Sequence, residues 1–205
     1  SQYCAFFDFK TDEPEMVVSS LKGMMQTDWA KNIQGTKSLF AYQFNGTNGA
    51  THTVQFCFPD EAAFAGFSSS WNSSLVAQVF GEKLNNYIEP VNQALNTPVW
   101  FQNDWTPDQV FFIYQMDVSA PSAYVKEFAE FSMSWAQKTG MTSSYGVGFP
   151  ISGKNAEFSH FVWTGAPDIE TALSTTKKMF NDPLFAKYSS KVSKIRKLVN
   201  TTMMV

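Results

Sequence analysis

Apolar and polar residues alternate along the chain with two spacings, one typical of strands and one typical of helices. A short aromatic run from Tyr3 to Phe9 stops at Thr11–Pro14, which predicts a strand followed by the start of a helix. The stretch from Glu15 to Asn32 then carries apolar residues at helical spacing and is followed by Gly35. This stretch therefore predicts one long first helix.

The rest of the first half predicts a hairpin, two more helices and a last strand. The turn residues Asn45–Gly49 tolerate positive φ and separate two apolar runs, Ser38 to Phe44 and Thr51 to Phe58. The further elements are a helix opening at Pro59–Glu61 and reaching about Ser68, a helix from Leu75 to Gln93 and a strand from Pro98 to Gln102.

The second half predicts the same order of elements. Its strands are expected at Val110 to Val118, Thr142 to Phe149, Ala156 to Thr164 and Val199 to Val205. Its helices are expected at Ser122 to Thr139, Asp168 to Asn181 and Leu184 to Lys197. With the last two helices of each half counted as one helical segment, each half has the order β-α-β-β-α-β, which is the ferredoxin-like plan of an antiparallel sheet with helices on one face.

Short matches in the same order suggest that the halves are two copies of one unit. Trp29-Ala30-Lys31 corresponds to Trp135-Ala136-Gln137, and His52-Thr53-Val54 before Pro59-Asp60 corresponds to His160-Phe161-Val162 before Pro167-Asp168. We predict an α+β protein of two tandem ferredoxin-like repeats, 1–102 and 103–205, joined at about 102–108. The bare faces of the two sheets would pack face to face as a pseudo-dimeric α/β barrel.

Charge and hydropathy exclude several classes of protein. The net charge is −3, and the chain has a single arginine, so binding to nucleic acid is not expected. No apolar run is long enough for a membrane helix, and we expect a soluble, cytoplasmic protein, with secretion after removal of a signal peptide as the open alternative. A basic cluster near the C-terminus is interpreted as the solvated face of the last helix rather than as a patch for an anionic ligand: Lys187, Lys191, Lys194, Arg196 and Lys197.

The two cysteines, Cys4 and Cys57, are too few for a disulfide framework or a metal knuckle. They fall on the first and third predicted strands and would lie near each other if those strands pair. The interpretation favoured here is two buried, unlinked thiols in a reducing compartment.

The segment Thr51–Phe56 running into Pro59–Phe64, and more weakly Ser159–Val162 running into Pro167–Asp168, resembles the dimeric α/β-barrel superfamily. The resemblance is strongest to its stress-responsive A/B barrel branch, which includes plant polyketide cyclases. Asn181–Phe185 lies where that branch has a His-Pro-x-His stretch and keeps the proline. Members are usually homodimers, so this chain would be a pseudo-dimer within one chain, with a higher oligomer left open.

One departure from the branch bears on catalysis. The second histidine of His-Pro-x-His is a catalytic acid/base in the cyclases, and its place falls on Phe185 in one half and near Val76 in the other. Neither side chain can move a proton. Cyclase chemistry by that mechanism is therefore not expected.

The resemblance implies a mostly aromatic pocket in each half, between the sheet and the first helix. Alternate strand residues share a face, and the expected ligand-binding residues are Phe7, Trp29, His52, Val54, Phe112, Trp135, His160 and Val162. Proton transfer would fall to His52 with Tyr3 or to His160 with Tyr114. Core roles for the histidines and tryptophans stay open as the alternative.

These residues favour a barrel protein that binds a small apolar or aromatic ligand without an established reaction. The alternatives are a cofactor-free enzyme of the cyclase, isomerase or monooxygenase type, with His52 or His160 as base, and a structural or stress-related assembly protein. Each half has one histidine without clustered carboxylates or thiols, so neither a metal nor another cofactor is expected.

Overall fold

The computed structural model describes residues 2–153 and 157–205, in which the chain forms an α+β fold of eight strands and seven helices. The strands are β1 (Tyr3–Lys10), β2 (Thr36–Gln43), β3 (His52–Phe58), β4 (Glu89–Gln102), β5 (Val110–Val118), β6 (Tyr145–Ser152), β7 (His160–Ala166) and β8 (Arg196–Met204). The helices are α1 (Pro14–Met25), α2 (Asp28–Lys31), α3 (Glu61–Ser73), α4 (Leu75–Asn85), α5 (Pro121–Thr139), α6 (Ile169–Phe180) and α7 (Pro183–Val192).

The chain divides into two compact units. Unit 2 consists of Tyr42–Thr47 and Pro98–Val205, and unit 1 consists of the other described residues. The predicted fold class is confirmed at the level of an antiparallel α+β fold. The tandem duplication and the boundaries 1–102 and 103–205 stay predictions.

Unit 1 is built on an antiparallel sheet in which β1 pairs with β3 and β4, and β3 also pairs with β2. In the β1–β3 register, Tyr3 lies opposite Phe58 and Phe9 lies opposite His52. Residues of α1 and α3 pack on this sheet, with Val17 and Phe67 among the buried core.

Unit 2 has the strand order β8-β5-β7-β6. Val110 lies opposite Ala166 and Met116 opposite His160 in the β5–β7 pair. Helices α5 and α7 pack against the sheet and bury Tyr124, Phe128 and Tyr188 between them and the strands.

Helix α5 shows why the sequence signals were informative. Pro121 occupies the first turn, where its missing N–H has no helical partner to lose. Gly140 ends the helix with φ 69°, a left-handed conformation that glycine adopts without steric cost. The helix buries residues spaced three or four apart, namely Tyr124, Phe128, Phe131, Ser132 and Trp135.

Four predicted helices were wrong in extent. The helix predicted to reach about Ser68 continues to Ser73 as α3. The first helix is interrupted because the Thr27 hydroxyl accepts a hydrogen bond from Ala30 N–H and caps the short α2. The helix predicted to reach Gln93 ends at Asn85, and Glu89 already belongs to β4. Proline at residue 90 suits a strand start better than a helix interior.

The helix predicted to reach Lys197 ends at Val192. Ile195 N–H donates to the Val192 carbonyl in a turn, and Arg196 then pairs with Val118 as the first residue of β8. The basic cluster is therefore not one helical face.

The predicted strand from Ala156 begins outside the described residues, and β7 runs from His160.

The prediction of unlinked cysteines was wrong. Cys4 and Cys57 lie opposite each other in the β1–β3 register and form a disulfide. Both are buried, and antiparallel pairing brings their side chains onto the same face.

In the described parts of the chain, no helix combines the length and apolar character needed to cross a membrane.

Candidate functional site

Unit 2 contains a cavity of about 200 Å³ between its sheet and its helices, here called the unit 2 cavity. The floor is formed by alternate residues of β5 and β7, which share one face of the sheet. The floor residues are Phe112, Tyr114, Met116, Val162 and Thr164. Aromatic side chains of α5 and α7 form much of the remaining wall: Tyr124, Phe128, Phe131, Trp135, Phe185 and Tyr188.

Helix α3 shows how unit 1 fills the corresponding space. Its N-cap Asp60 accepts a hydrogen bond from Ala63 N–H. Four, seven and eleven residues after this cap are Phe64, Phe67 and Trp71. The Phe67 ring lies 5.0 and 5.1 Å from the rings of Phe56 and Phe58, and the Trp71 ring lies 5.6 Å from that of Trp29. Aromatic rings therefore occupy the region between this helix and its sheet.

Helix α6 begins in the same way but carries smaller residues. Its N-cap Asp168 accepts a hydrogen bond from Thr171 N–H. Four, seven and eleven residues after this cap are Ala172, Thr175 and Met179, which line the unit 2 cavity. At these spacings from the N-cap, α6 therefore carries smaller side chains than α3 does.

A polar cluster of three side chains lies on the wall of the unit 2 cavity. The hydroxyls of Tyr124 and Tyr188 are 2.6 Å apart, and Arg196 Nη1 donates to Tyr188 Oη over 3.3 Å. The Arg196 guanidinium carbon also lies 5.3 Å from the centre of the Tyr188 ring, within cation–π range. Tyr124 Oη donates to Met116 Sδ over 3.5 Å.

The tyrosines on this wall are held in their neutral form. Burial raises the pKa of Tyr114 to about 12 and also raises the pKa of Tyr145. Burial raises the pKa of Tyr124 and of Tyr188, and in Tyr188 it outweighs the opposing effects of the hydrogen bond with Tyr124 and the Arg196 charge. Among the described wall residues, Arg196 is the one charged group at neutral pH.

The structure brings together part of the predicted second pocket. Phe112, Val162 and Trp135 line the unit 2 cavity, together with the predicted proton donor Tyr114. His160 is on the same strand face but precedes the cavity, and it is not among the described residues of the wall.

The two histidines occupy matching positions at the start of a strand. His52 Nδ1 lies 2.8 Å from Thr51 Oγ1, and His160 Nδ1 lies 2.8 Å from Ser159 Oγ. The preceding hydroxyl in turn accepts a backbone N–H in both cases, from Thr11 over 3.1 Å and from Val118 over 2.9 Å. These bonds fix the corner where a strand begins.

In unit 1 the predicted pocket residues lie in the core. Trp29 and Phe7 pack against the buried cluster that contains Val54. The His52 ring stacks on Phe9 with centroids 5.7 Å apart, and burial lowers the pKa of His52. Tyr3 lies at the other end of β1 from this histidine and donates to Glu61 Oε1 over 2.8 Å, so the two side chains do not form a proton-transfer pair.

Sequence reasoning missed Arg196, Tyr124 and Tyr188. One signal was available, because Arg196 is the single arginine of the chain. Its assignment to a helix concealed it, since the strand β8 places it beside Tyr188. No group of three or more metal-ligating His, Cys, Asp or Glu side chains occurs among the residues that the structure describes.

No protein-family model matches the chain, and no curated protein matches its sequence. Solved structures do resemble it. A protein from Lactobacillus acidophilus NCFM, provisionally named a monooxygenase, has a TM-score of 0.66 at 12% identity, covering 100% of this chain and 93% of the other. An anthrone oxidase-like protein has a TM-score of 0.61 at 12% identity, with coverage of 100% and 91%.

A haem-binding protein from Thermus thermophilus has a TM-score of 0.54 at 10% identity, covering 99% of this chain and 90% of the other. Likeness at these identities shows the fold alone. The solved structures support an α+β fold of this kind, and membership of the dimeric α/β-barrel superfamily stays a prediction. Membership of the stress-responsive A/B barrel branch stays a prediction.

Proposed function

We propose that unit 2 binds a small, mostly apolar, aromatic molecule in the unit 2 cavity. The observation that carries the proposal is the composition of the wall, which is mostly aromatic and carries the smaller side chains of Ala172 and Thr175 on the α6 side. Ligand sites in proteins are mainly apolar with a few polar anchors. Aromatic rings on the wall favour edge and offset contacts with an aromatic ligand.

The volume limits the size of the ligand. About 200 Å³ lies below the range of roughly 300–1,000 Å³ usual for drug-sized ligands. We therefore expect a molecule of one or two fused rings. The names of the solved structures, a monooxygenase and an anthrone oxidase-like protein, support a small organic ligand.

A matched pair of α6 variants tests the proposal with 2-naphthol as the probe. Thr175→Phe puts a ring where unit 1 has Phe67, and should weaken 2-naphthol binding at least about tenfold by filling the space. Ser174→Phe adds the same ring at the neighbouring exposed position and should bind like wild type. Titration by calorimetry gives both dissociation constants, and circular dichroism confirms that both variants are folded.

Equal binding to wild type and Thr175→Phe would place the ligand elsewhere and contradict the proposal. Failure of wild type to bind any aromatic probe of one or two rings, whether neutral or charged, would contradict it as well.

A haem, as named for the Thermus thermophilus protein, does not fit the residues of the unit 2 cavity. Haem iron takes axial His, Cys, Met paired with His, or tyrosinate. The described wall has neither His nor Cys, and burial raises the pKa of Tyr114, Tyr124, Tyr145 and Tyr188 and so keeps these side chains protonated. The proposed binding function therefore does not involve a haem.

The second candidate is a cofactor-free enzyme, which the oxidase and monooxygenase names favour. Binding alone ranks above it because the described wall has no His, Cys, Asp, Glu or Lys side chain for general acid/base work, and burial raises the pKa of its tyrosines. His52 and His160, proposed as bases from the sequence, lie at strand starts. Turnover would be detected as oxygen consumption or a new product by mass spectrometry on incubation with the bound ligand, and its absence with every ligand that binds would leave the binding function.

We also propose an oxidising compartment for this protein in place of the cytoplasm. The disulfide between Cys4 and Cys57 supports it, because such bonds persist mainly outside the reducing cytosol. Thiol alkylation of protein from its native source, followed by mass spectrometry, should find both cysteines linked.

A further inference from the structure

We infer that the ligand of the unit 2 cavity carries an anionic group, a carboxylate, which the Arg196 guanidinium binds. This inference rests on the proposed function, because it specifies the chemistry of the ligand in the same cavity. Four observations about Arg196 support it: its position, its unbalanced charge, its hydrogen bonds and the neutrality of its neighbours.

The position of Arg196 is set by strand alternation. Arg196 and Leu198 lie on the face of β8 that lines the cavity, whereas Lys197 between them is exposed on the other side. Arg196 is half-buried, with its guanidinium beside the Tyr188 ring. The charged end therefore reaches the cavity from β8.

No protein carboxylate balances this charge in the part of the chain that the structure describes. The ion pairs of unit 2 join Lys138 to Asp182 and Lys191 to Glu127. Partly buried charges in proteins are usually paired, because removing an ion from water without a counterion costs free energy. An anion entering the cavity would supply the missing partner.

The hydrogen bonds of Arg196 leave most of its guanidinium N–H groups available to bind an anion. A guanidinium has five N–H donors, and within the described residues Arg196 uses one of them, to Tyr188 Oη. If Tyr188 donates to Tyr124, and Tyr124 donates to Met116 Sδ, every hydroxyl proton of the cluster has an acceptor. The remaining Arg196 donors match the two oxygens of a carboxylate.

The tyrosines cannot neutralise the arginine themselves. Burial raises the pKa of Tyr188 and of Tyr124, so both hydroxyls stay protonated at neutral pH. The wall consequently keeps one positive charge in an apolar cavity. Such a wall favours an aromatic acid over the neutral aromatic alcohol of the same shape.

The test compares 2-naphthoate with 2-naphthol, which share a ring system and differ in the charged group. Wild type should bind 2-naphthoate about tenfold or more tightly than 2-naphthol, as expected for a charge-assisted hydrogen bond. Arg196→Gln should remove most of that preference and leave 2-naphthol within about threefold. Lys197→Gln removes a charge from the adjacent exposed position and should change neither affinity by more than about twofold.

A third variant guards against misfolding. Arg196→Lys keeps the charge but loses the planar fork, so its affinity for 2-naphthoate should lie between those of wild type and Arg196→Gln. The inference is overturned if 2-naphthoate and 2-naphthol bind wild type equally, or if a folded Arg196→Gln variant keeps the preference. If wild type binds neither 2-naphthoate nor 2-naphthol, the proposed function itself is overturned.

Discussion

Replacing Cys4 and Cys57 together by alanine removes the covalent link between β1 and β3. The two residues are 7% and 6% exposed, so the substitution deletes two buried sulfur atoms and introduces no polar group. Serine would bury two hydroxyls, and alanine is therefore the cleaner replacement.

The size of the effect follows from the loop that the bond closes. The cysteines are 53 residues apart, and the chain-entropy relation for a loop of this length gives a stabilisation of about 4 kcal/mol. This is a large part of the roughly 5–15 kcal/mol that separates folded from unfolded domains. Loss of the link should therefore lower the unfolding midpoint strongly.

Urea unfolding of three samples separates the cross-link from the packing. Oxidised wild type, wild type reduced with a phosphine, and the double alanine variant are followed by tryptophan fluorescence. Reduced wild type keeps both sulfur atoms, so the difference between the two wild-type samples isolates the bond. The alanine variant should be less stable than the reduced protein by a further amount of about 1 kcal/mol or less for each lost sulfur.

Two results would refute this reasoning. Two thiols titrating in denatured, unreduced protein would show that the cysteines are not linked. Free energies of unfolding of oxidised and reduced wild type that agree within about 0.5 kcal/mol would show that the bond does not restrict the unfolded chain as assumed.

Three further outcomes are expected. Tyr188→Phe removes a buried hydroxyl bonded to a second tyrosine and to the arginine, and should lower the free energy of unfolding by about 1–2 kcal/mol, whereas Tyr145→Phe should change it little. Gly165→Ala would put its Cβ 2.1 Å from a buried carboxylate oxygen and should cost about 1–3 kcal/mol, whereas Gly66→Ala, in an open helical position, should stabilise by up to about 1 kcal/mol, both measured by urea unfolding. Burial lowers the pKa of His52 from 6.5, so the unfolded state takes up this proton first as the pH falls. The stability of the fold should therefore be full above about pH 7 and decline as the pH drops through 6.5. His52→Gln should flatten that decline in thermal melts.

Local signals in the sequence located most elements because they act over a few residues. The strand predicted at Val110 to Val118 has those bounds in the structure, and Pro121 and Gly140 mark the two ends of α5. Where pairing with a distant strand decides the conformation, the sequence was misleading. The segment around Arg196 has helical spacing but pairs with β5, and this long-range pairing determines its structure.

The candidate site was predictable in outline only. Strand alternation predicted which residues of β5 and β7 share a face, because that rule depends on neighbouring residues, and the family resemblance suggested the face with Phe112 and Val162 as the pocket. Whether a cavity opens above this face depends on the sizes of Ala172 and Thr175 relative to the rings at the same places in α3. The difference in side-chain size is visible in the sequence. It predicts a cavity only once it is known which residues of α6 face the sheet.

Because the chain has a single arginine, the wall of the unit 2 cavity can be modified selectively at one side chain. An arginine-selective dicarbonyl reagent such as phenylglyoxal would modify one side chain, at Arg196, which is half-buried on the cavity wall. Peptide mass spectrometry could then follow the occupancy of that wall in unaltered protein. A library of metabolites could be screened by the protection each compound gives to this residue, without any prior choice of ligand and without a mutation.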